Sequence, residues 1–327
     1  KTFKEEPKQG CKLHNLLKFH SLIGDYQPEH PIAWRQNSLV TQWEFLRHVN
    51  ELATRLPDEK YIVNLCQDRY NFTLAFCAAI VKGATNLLPP NRQSSTVLEI
   101  ASEYSAASCM IDNEIKVEGL KCIDVNYINQ SSHIIELENP SIPIDHCVAI
   151  AFTSGSTGKP VANKKSWRTL VGTTLLLATR FFHSMKQRPV LLATVPAQHM
   201  YGLEMSVMMA LHGRCVMVSA HSFYSQDIAN TLTQLPEPRC LVTTPVHLRA
   251  ILGSQIDMPR VEKVISATAP LQKNVAEQAQ HYFSGLVEEI YGCTEAGSLA
   301  SRKTVDDDLW HLLDGLDLLE DDIGLSV

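Results

Sequence analysis

The sequence predicts an α/β protein with two doubly wound, mostly parallel sheets flanked by helices. Short apolar runs rich in Val, Ile and Leu alternate with helical repeats along most of the 327 residues. Strands that are buried on both faces give such continuous apolar runs. Helices between successive strands are the connections that parallel pairing requires.

The first predicted helix covers residues 38–57, where apolar side chains recur at helical spacing. Ser38 or Thr41 is the expected N-cap, and Pro57 ends the helix. Three short β-rich runs then alternate with two helical segments, which is the order that a parallel sheet needs. The strands are expected at 60–66, 84–90 and 108–112, and the helices at 71–83 and 96–106.

The second half of the chain continues the alternation after a polar, Pro-containing connector at 126–145. The connector predicts two α/β units, residues 1–145 and 146–327, which we expect to pack together as one large domain. Strands are expected in this half at 147–158, 189–196, 215–219, 240–245, 261–268 and 287–297, the first and last ending in loops. Helices are expected at 166–182, 202–214, 225–236, 246–254 and 274–283.

Charge and composition exclude several classes of protein. The formal net charge is −6 and the Lys and Arg residues are scattered, whereas a nucleic-acid-binding surface needs a basic stripe. No apolar run reaches the roughly 18 residues of a membrane-spanning helix. The nine cysteines lack paired CxxC spacing, so we expect free thiols in a reducing compartment. The sequence therefore predicts a cytoplasmic protein without a nucleic-acid partner or a membrane span.

A loop rich in glycine and hydroxyl side chains follows the strand that begins at Cys147. Its glycines permit close approach of backbone N–H groups to a ligand, and its lysine adds a positive charge. That combination suits a polyphosphate, although the spacing is neither the Walker pattern nor GxGxxG. A plain strand-to-helix turn or a flexible linker is the alternative. The loop residues are Thr153, Ser154, Gly155, Ser156, Thr157, Gly158 and Lys159.

A second motif, "IYGCTEAG" at 290–297, brings an aromatic ring, a glycine, a hydroxyl and a carboxylate into five positions. It follows a predicted strand, and open α/β sheets bind ligands at the carboxyl ends of their strands. The segments "VPAQHMYG" at 195–202 and "SATAPL" at 266–271 also stand at the ends of predicted strands. The sequence therefore predicts a ligand site built from these segments.

Together these motifs resemble the adenylate-forming, or AMP-binding, enzyme superfamily, which includes acyl- and aryl-CoA synthetases, luciferases and the adenylation domains of peptide synthetases. The family's TSG[ST]TGxPKG loop is similar to residues 153–160, and its YGxTE motif is similar to residues 291–295. Its PxxHxxG segment matches 196–202, and a GxAPL-like segment matches 268–271. The resemblance extends from about residue 32 to residue 327, with the motifs in the family's order.

The resemblance implies a two-step ligase reaction. The carboxylate of an acid attacks the α-phosphorus of ATP and releases pyrophosphate, and a thiol then takes the acyl group from the acyl-adenylate. Little covalent work falls to protein side chains, so positioning and charge stabilisation at phosphorus carry the catalysis. The implied cofactors are ATP and Mg²⁺, with CoA or a phosphopantetheine group as the thiol acceptor. The implied partners are a carboxylic acid substrate and an acyl carrier protein.

The resemblance also implies a role for each motif. The loop at 153–159, including Lys159, would hold the β- and γ-phosphates. Thr294 would donate to the α-phosphate, and Glu295 would bind Mg²⁺, a cation that favours oxygen ligands. His199 would stand near the substrate carboxylate. The remaining nucleotide contacts would be Tyr291, stacked on adenine, with Gly292, Ala267, Thr268 and Ala269.

This chain departs from the family's pattern in two places. After Pro160 the family continues Lys-Gly, whereas the basic residues here come later, at Lys164 and Lys165. We hypothesise that one of these two lysines supplies the missing loop cation. The family's ribose-binding Asp and its small C-terminal domain with a catalytic Lys are not found in the sequence. We therefore expect the chain to be the large N-terminal part of such an enzyme, with poor activity alone.

The class of acid is the least specified feature. The predicted helix at 202–214 is apolar and rich in Met, which favours an adaptable pocket for a fatty or aryl acid, although core packing explains the same pattern. Amino-acid-activating relatives place an Asp shortly after the His motif, and Glu204 here could meet a substrate amine. An amino-acid-activating domain and a degenerate ATP- or AMP-binding module without ligase activity therefore stay open as alternatives.

Overall fold

The fold is α/β, as predicted, with two mixed but mostly parallel sheets flanked by helices. The computed structural model describes residues 18–114, 116–126, 137–154, 159–220, 223–317, 319–321 and 324–326, with side chains as far as residue 317.

The strands of the described ranges are mostly short. They are β1 (Phe19–Ser21), β2 (Pro31–Arg35), β3 (Ser38–Thr41), β4 (Tyr61–Asn64), β5 (Thr85–Leu88), β6 (Ser108–Ile111), β7 (Lys121–Asp124), β8 (Ser141–Pro143), β9 (Cys147–Ser154), β10 (Pro160–Ser166), β11 (Val190–Ala193), β12 (Val216–Val218), β13 (Arg239–Thr243), β14 (Lys263–Ser266), β15 (Leu286–Cys293), β16 (Gly297–Arg302), β17 (His311–Leu312), β18 (Leu319–Asp321) and β19 (Gly324–Ser326).

The helices lie between groups of these strands, and a helix is found at each of the predicted helical segments. They are α1 (Gln42–Arg55), α2 (Arg69–Val81), α3 (Ser94–Glu103), α4 (Trp167–Phe182), α5 (Met200–Gly202), a π-helical segment (Leu203–Met208), α6 (Met209–His212), α7 (Ser225–Gln234), α8 (Pro245–Gly253) and α9 (Lys273–Phe283).

The first sheet has six strands in the order β10-β9-β5-β4-β6-β7. Its pairs are parallel except for β9 and β10. The second sheet has nine strands in the order β17-β16-β15-β14-β13-β11-β12-β2-β3. It is parallel from β15 to β2 and antiparallel at both edges. Two small antiparallel pairs, β1–β8 and β18–β19, complete the described strands.

The two sheets do not divide the chain at the predicted boundary between residues 145 and 146. β9 and β10 follow that boundary and complete the first sheet, while β2 and β3 precede it and form an edge of the second sheet. One hydrophobic core contains Ile32 from β2, Ile62 from β4 and Leu203 from the π-helical segment. The described part of the connector contains β8, and sheet membership is decided by pairings that are distant in sequence.

The core depends on α2, which lies against both sheets. Every residue from Arg69 to Ile80 is buried, and α2 contacts β4 and β5 of the first sheet and β12 of the second. A helix that is apolar all round is a buried helix. By contrast, α1 is amphipathic and its N-cap is Thr41, whose hydroxyl and Glu44 form a reciprocal capping box. The predicted start at residue 38 is three to four residues early because 38–41 form β3.

The sequence does not predict β10, because its residues are polar and basic. β10 is an edge strand of the first sheet, and lysine-bearing strands are typical of edges, where charge discourages pairing with another chain. Along β10, Lys164 is exposed whereas Lys165 is only 2% exposed. Because successive side chains of a strand point to opposite faces, one lysine faces solvent and the other faces the protein interior.

The predicted helix at 202–214 contains an irregularity that the sequence does not predict. Its turns are π-helical over Leu203–Met208, a conformation that is rare and is frequently found at functional sites. The segment places the buried side chains of Glu204 and Ser206 at the centre of the molecule.

Two predictions from composition concern the whole chain. The cysteines of the described ranges are free thiols, most of them buried, and Cys11 lies outside those ranges. Among the described residues, no helix is long and apolar enough to cross a membrane. A cytoplasmic location stays a prediction.

Arg69, the first residue of α2, joins the two sheets. Its side chain is 2% exposed, and its guanidinium donates to the backbone oxygens of Ala193 (2.9 Å) and Val195 (2.8 Å). It also donates to the hydroxyl of Ser206. Burial lowers the pKa of Arg69 to about 10 and the charge of Asp68 opposes this shift, so the guanidinium is charged at neutral pH.

Replacing Arg69 should therefore loosen the contact between the sheets. Arg69→Met removes all three donors and leaves buried carbonyls unpaired, each at a cost of about 1–3 kcal/mol. We expect the free energy of unfolding to fall by about 3 kcal/mol or more, measured by urea denaturation. Arg249→Met on the exposed face of α8 is the control and should leave the midpoint unchanged. An unchanged midpoint for Arg69→Met would contradict the assigned role.

Candidate functional site

The predicted site residues follow the carboxyl ends of strands from both sheets. β9 ends at Ser154, β11 leads to His199, β14 leads to 267–269, and β15 contains Tyr291 and Gly292. β9, β11, β14 and β15 each take part in parallel pairing in their sheets, and ligands of open α/β sheets bind at that end. The fold therefore places the four motifs at the carboxyl ends of their strands, where a site is expected.

The glycine- and hydroxyl-rich loop connects two antiparallel strands. Thr153 is half-buried, Ser154 is exposed at the end of β9, and Lys159 is exposed just before β10. Ser154 pairs with Pro160 across the hairpin, so the segment is not the strand-to-helix turn of the alternative interpretation. The predicted ligands Gly155, Ser156, Thr157 and Gly158 lie outside the described residues.

The PxxHxxG spacing has a steric cause. Gly202 packs so closely on the backbone of Pro196 that a Cβ at residue 202 would lie 2.0 Å from the Pro196 carbonyl oxygen. This contact closes a turn, and His199 lies within it as the exposed N-cap residue of α5. The surrounding protein desolvates the ring and lowers the pKa of His199, and the positive charge of Arg92 lowers it further. A neutral imidazole therefore stands at this end of the sheet.

The predicted adenine segment has an unusual backbone. Ala267 is nearly buried, whereas Thr268 and Ala269 are exposed. Thr268 has a φ of 82°, which is a rare conformation for a β-branched residue and is found mostly where a site requires it. Downstream, the backbone N–H of Leu271 donates to the buried carboxylate of Glu289 at 2.7 Å. The segment is thus held by a side chain of β15.

Tyr291, the predicted adenine-stacking residue, is 58% exposed. Its ring centroid lies 5.5 Å from that of Trp310, and the Arg302 guanidinium lies 4.6 Å from the Trp310 ring on the same surface. The next residue, Gly292, stands at an irregularity in the β15–β16 pairing. A Cβ at Gly292 would lie 2.4 Å from the Gly297 oxygen, which explains the glycine of the motif.

The loop after Tyr291 carries the predicted residues Thr294 and Glu295, of which Thr294 is half-buried and Glu295 exposed. The ammonium of Lys165 donates to the backbone oxygen of Glu295 at 2.7 Å. On the other side, the hydroxyl of Ser298 donates to the Glu204 carboxylate at 2.6 Å. Two buried charged residues therefore hold the loop.

The electrostatics of these two residues are coupled. Burial raises the pKa of Glu204 to about 7, while hydrogen bonds from Ser298 and the charge of Lys165 oppose that shift. Burial lowers the pKa of Lys165, and Glu204 is the first of the negative groups that oppose it. Gly297 contacts the same carboxylate, since a Cβ there would lie 2.6 Å from Oε1 of Glu204, and its φ of 82° also favours glycine.

Sequence reasoning missed the residues that support the motifs, namely Arg69, Glu204 as a loop contact, Glu289 and Trp310. A signal was present for Glu289, because two acidic residues within the apolar strand "LVEEI" are unexpected unless they are paired. Glu289 accepts from Arg302 at 2.7 Å and from Thr304 at 2.6 Å.

The described residues form no ready-made metal centre. They contain no group of three or more His, Cys, Asp or Glu side chains that could hold a metal ion. A lone exposed carboxylate such as that of Glu295 fits Mg²⁺ only where substrate oxygens complete the coordination, which is the usual way in which proteins bind Mg²⁺ with nucleotides.

A large cavity, of about 1,090 Å³, lies at the opposite end of the second sheet. It is lined by residues near the amino ends of β13, β14 and β15, including Arg239, Lys263 and Leu286. Its cations are largely paired with acids, as Lys263 is with Glu288. The motifs lie elsewhere, so cavity size does not identify the candidate site.

The comparison with known families decides the identity of the domain. A profile described as AMP-binding enzyme matches residues 25–314. The chain belongs to the AMP-binding enzyme family. The resemblance predicted from the motifs is therefore confirmed at the level of the family.

Members of this family and their neighbours are similar to the chain at low identity. 4-Coumarate–CoA ligase 1 of Solanum tuberosum is 28% identical over an alignment that covers 76% of this chain and 50% of that protein. 4-Chlorobenzoate–CoA ligase of Pseudomonas sp. (strain CBS-3) is 23% identical, over 64% of this chain and 43% of that protein. The chain spans about half the length of the curated relatives that it matches.

Solved structures with the AMP-binding fold superpose on most of the chain. o-Succinylbenzoate CoA synthetase from Bacillus subtilis, in complex with its acyl-adenylate intermediate, has a TM-score of 0.72 at 18% identity, covering 85% of this chain and 59% of that one. Apo MatB from Rhodopseudomonas palustris has a TM-score of 0.73 at 15% identity, covering 90% and 64%. These likenesses establish the fold.

The raised pKa of Glu204 predicts a pH-dependent stability. Because its native pKa of about 7 exceeds the ordinary value of 4.5, the native state binds this proton more tightly than the unfolded state. The contribution of Glu204 to the free energy of unfolding therefore falls as the pH rises from about 4.5 to about 7. Glu204→Gln should remove this loss. The free energy of unfolding of the variant relative to wild type should therefore increase by about 3 kcal/mol when the pH rises from about 4.5 to about 8.

Urea unfolding of both proteins at the two pH values measures this difference, and titrating groups that are independent of Glu204 cancel in the comparison. A stability difference between Glu204→Gln and wild type that does not change with pH would contradict the assignment.

Proposed function

We propose that this chain provides the nucleotide-binding and acid-activating part of an ATP-dependent acid–thiol ligase. In the first step, a carboxylate oxygen of the acid attacks the α-phosphorus of ATP, the bond to the β-phosphate oxygen breaks, and pyrophosphate leaves. In the second step, a thiol attacks the acyl carbon of the acyl-adenylate and AMP leaves. Membership of the AMP-binding enzyme family supports the first half of this proposal.

The observation that carries the proposal is the contact between Lys165 and Glu295. Lys165 lies on β10, the strand that leaves the glycine- and hydroxyl-rich loop, and Glu295 belongs to the YGCTE loop of the second sheet. Lys165 and Glu295 are 130 residues apart in sequence, and the 2.7 Å hydrogen bond between them joins the strand that follows the glycine-rich loop to the YGCTE loop. The two segments suited to phosphate thus belong to one connected assembly, which a site for a single nucleotide requires.

The exposed groups of the site have the chemistry that the first step requires. Ser154 and Lys159 at the ends of the hairpin loop, with its glycine amides, would hold the β- and γ-phosphates and offset their charge. Thr294 would donate to the α-phosphate, and Tyr291 would stack on adenine beside 267–269. Mg²⁺ bound through Glu295 and the phosphates would neutralise charge that develops as pyrophosphate leaves.

The acid is best described as an aryl or fatty carboxylic acid. Glu204 is bonded to Ser298 and lies near Lys165, so it is not free to meet a substrate ammonium, and this weighs against an amino acid. The relatives named above are ligases for aryl acids by their names. The Met-rich helix does not form a pocket, because Met205, Met208 and Met209 are fully buried in the core.

His199 is proposed to contact the acid, and a thiol is proposed to accept the acyl group. An exposed, neutral imidazole after β11 suits a place beside the acid's carboxylate, where it donates a hydrogen bond without requiring a proton from solvent. CoA is the proposed acceptor, since the relatives are CoA ligases by name. A phosphopantetheine group on an acyl carrier protein offers the same thiol chemistry.

Acid-dependent exchange of pyrophosphate into ATP tests the proposal. The native gene product and this chain are assayed against fatty, aryl and amino acids, and we expect exchange with the aryl or fatty class. Glu295→Gln should lower exchange by about 100-fold, a loss in the range found when one charge-stabilising group is removed. Glu277→Gln, on the exposed face of α9, is the matched control and should retain the wild-type rate.

The outcomes separate the alternatives. Exchange with amino acids would identify an amino-acid-activating domain. Nucleotide binding by calorimetry without exchange for any acid would identify a binding module that lacks ligase activity, and would overturn the proposed reaction.

A further inference from the structure

Lys165 and Glu204 are buried residues that form hydrogen bonds with the loop at 293–298. The proposed reaction does not use them. We propose that they are positioning residues, which hold this loop against β10 and so set the position of the Glu295 carboxylate relative to the phosphate-binding hairpin. The inference rests on the proposed function, because it assigns to Glu295 a cation shared with ATP.

The first contact fixes the loop at its centre. Lys165 is 2% exposed, and its ammonium donates to the backbone oxygen of Glu295 at 2.7 Å. The Glu295 side chain itself is exposed. The hydrogen bond thus restrains the main chain of Glu295 and leaves its carboxylate available to a ligand.

The second contact fixes the loop at its end. Glu204 is 2% exposed and accepts from the hydroxyl of Ser298 at 2.6 Å. The adjacent Gly297 lies so close to Glu204 that any larger residue would displace the carboxylate. The two contacts bracket the segment between residues 295 and 298, so that both ends of the segment are held.

The same residues connect the loop to the hairpin. Lys165 pairs with Ala149 in the β9–β10 ladder, and the ladder continues to the pair Ser154–Pro160 beside the glycine-rich loop. The π-helical segment that carries Glu204 follows directly after the turn that contains His199. A displacement of Lys165 therefore changes the geometry between the two phosphate-contacting elements.

Energetics support a functional reason for the pair. Two oppositely charged groups buried together are costly to desolvate, and an apolar pair of similar volume is often as stable or more stable. Lys165 and Glu204 attract each other, yet among the described residues the hydrogen bonds of their side chains are made to the loop. The polar side-chain contacts of this buried pair are therefore made to the loop.

The test measures nucleotide binding by calorimetry, with ATP over a titration of Mg²⁺ and with AMP in the absence of Mg²⁺. Lys165→Met removes the donor to Glu295. We expect the dissociation constant of Mg²⁺–ATP to rise by about tenfold, the equivalent of one hydrogen bond to a charged group, while that of AMP changes less than about twofold. Lys165→Arg, which keeps a cation at this position, should recover part of the loss.

Two further variants separate positioning from folding. The double variant Lys165→Met with Glu204→Gln leaves no buried charge unpaired, so it should remain folded and still show the weakened Mg²⁺–ATP binding. Lys121→Met, on β7 at the opposite edge of the same sheet, is the matched control and should bind both ligands as wild type does. A merely structural role would lower the unfolding midpoint and weaken Mg²⁺–ATP and AMP equally.

The outcomes distinguish this inference from the proposed function. If wild type binds Mg²⁺–ATP and Lys165→Met binds it equally well, or if Lys164→Met has the larger effect, the positioning role is overturned alone. If wild type binds neither nucleotide, the proposed function is overturned and the positioning role with it.

Discussion

The arrangement of the candidate site depends on one buried cation, Arg69. It belongs to the helix that the two sheets share, yet its hydrogen bonds are made to the backbone at and just after the end of β11 and to the π-helical segment. A charged group at 2% exposure is tolerated because three acceptors replace its water. Since Val195 directly precedes Pro196, this contact places the turn that carries His199 relative to the first sheet.

From that point a series of contacts leads to the β9–β10 hairpin. The hydroxyl of Tyr201 donates to the backbone of Ile265 at 2.8 Å, which ties the turn to β14 just before the predicted adenine segment. Glu204 then contacts the loop after β15, and Lys165 contacts the same loop from β10. The His199 turn, the 266–271 segment and the YGCTE loop are therefore each supported by a residue from another element.

The fold class could be predicted because each strand and helix has a local signature. Buried parallel strands are continuous apolar runs, and helices such as α1 have amphipathic repeats with recognisable caps. β10 has no such signature, because an edge strand need not be apolar. Sheet membership has no local signature either, since β2 and β9 pair with strands far from them in sequence.

The candidate site is predictable to a similar extent. Its exposed residues belong to short motifs, and the composition of those motifs alone indicates phosphate chemistry. The residues that hold the motifs have no motif of their own. Lys165 stands out in the sequence as a lysine outside the family's usual position, but its partner lies 130 residues away. Local patterns cannot show such a contact, and the burial that makes it strong exists only in the folded chain.

The contrast between Lys164 and Lys165 shows why position matters more than residue type here. Both are lysines on one short strand, but one is exposed and the other is 2% exposed. An exposed ammonium adds a screened charge to the surface. A buried one must find acceptors, and the acceptor that Lys165 finds is the backbone of Glu295. The departure from the family's loop pattern is thus connected with the second motif, because the buried lysine donates a hydrogen bond to the loop that carries Glu295.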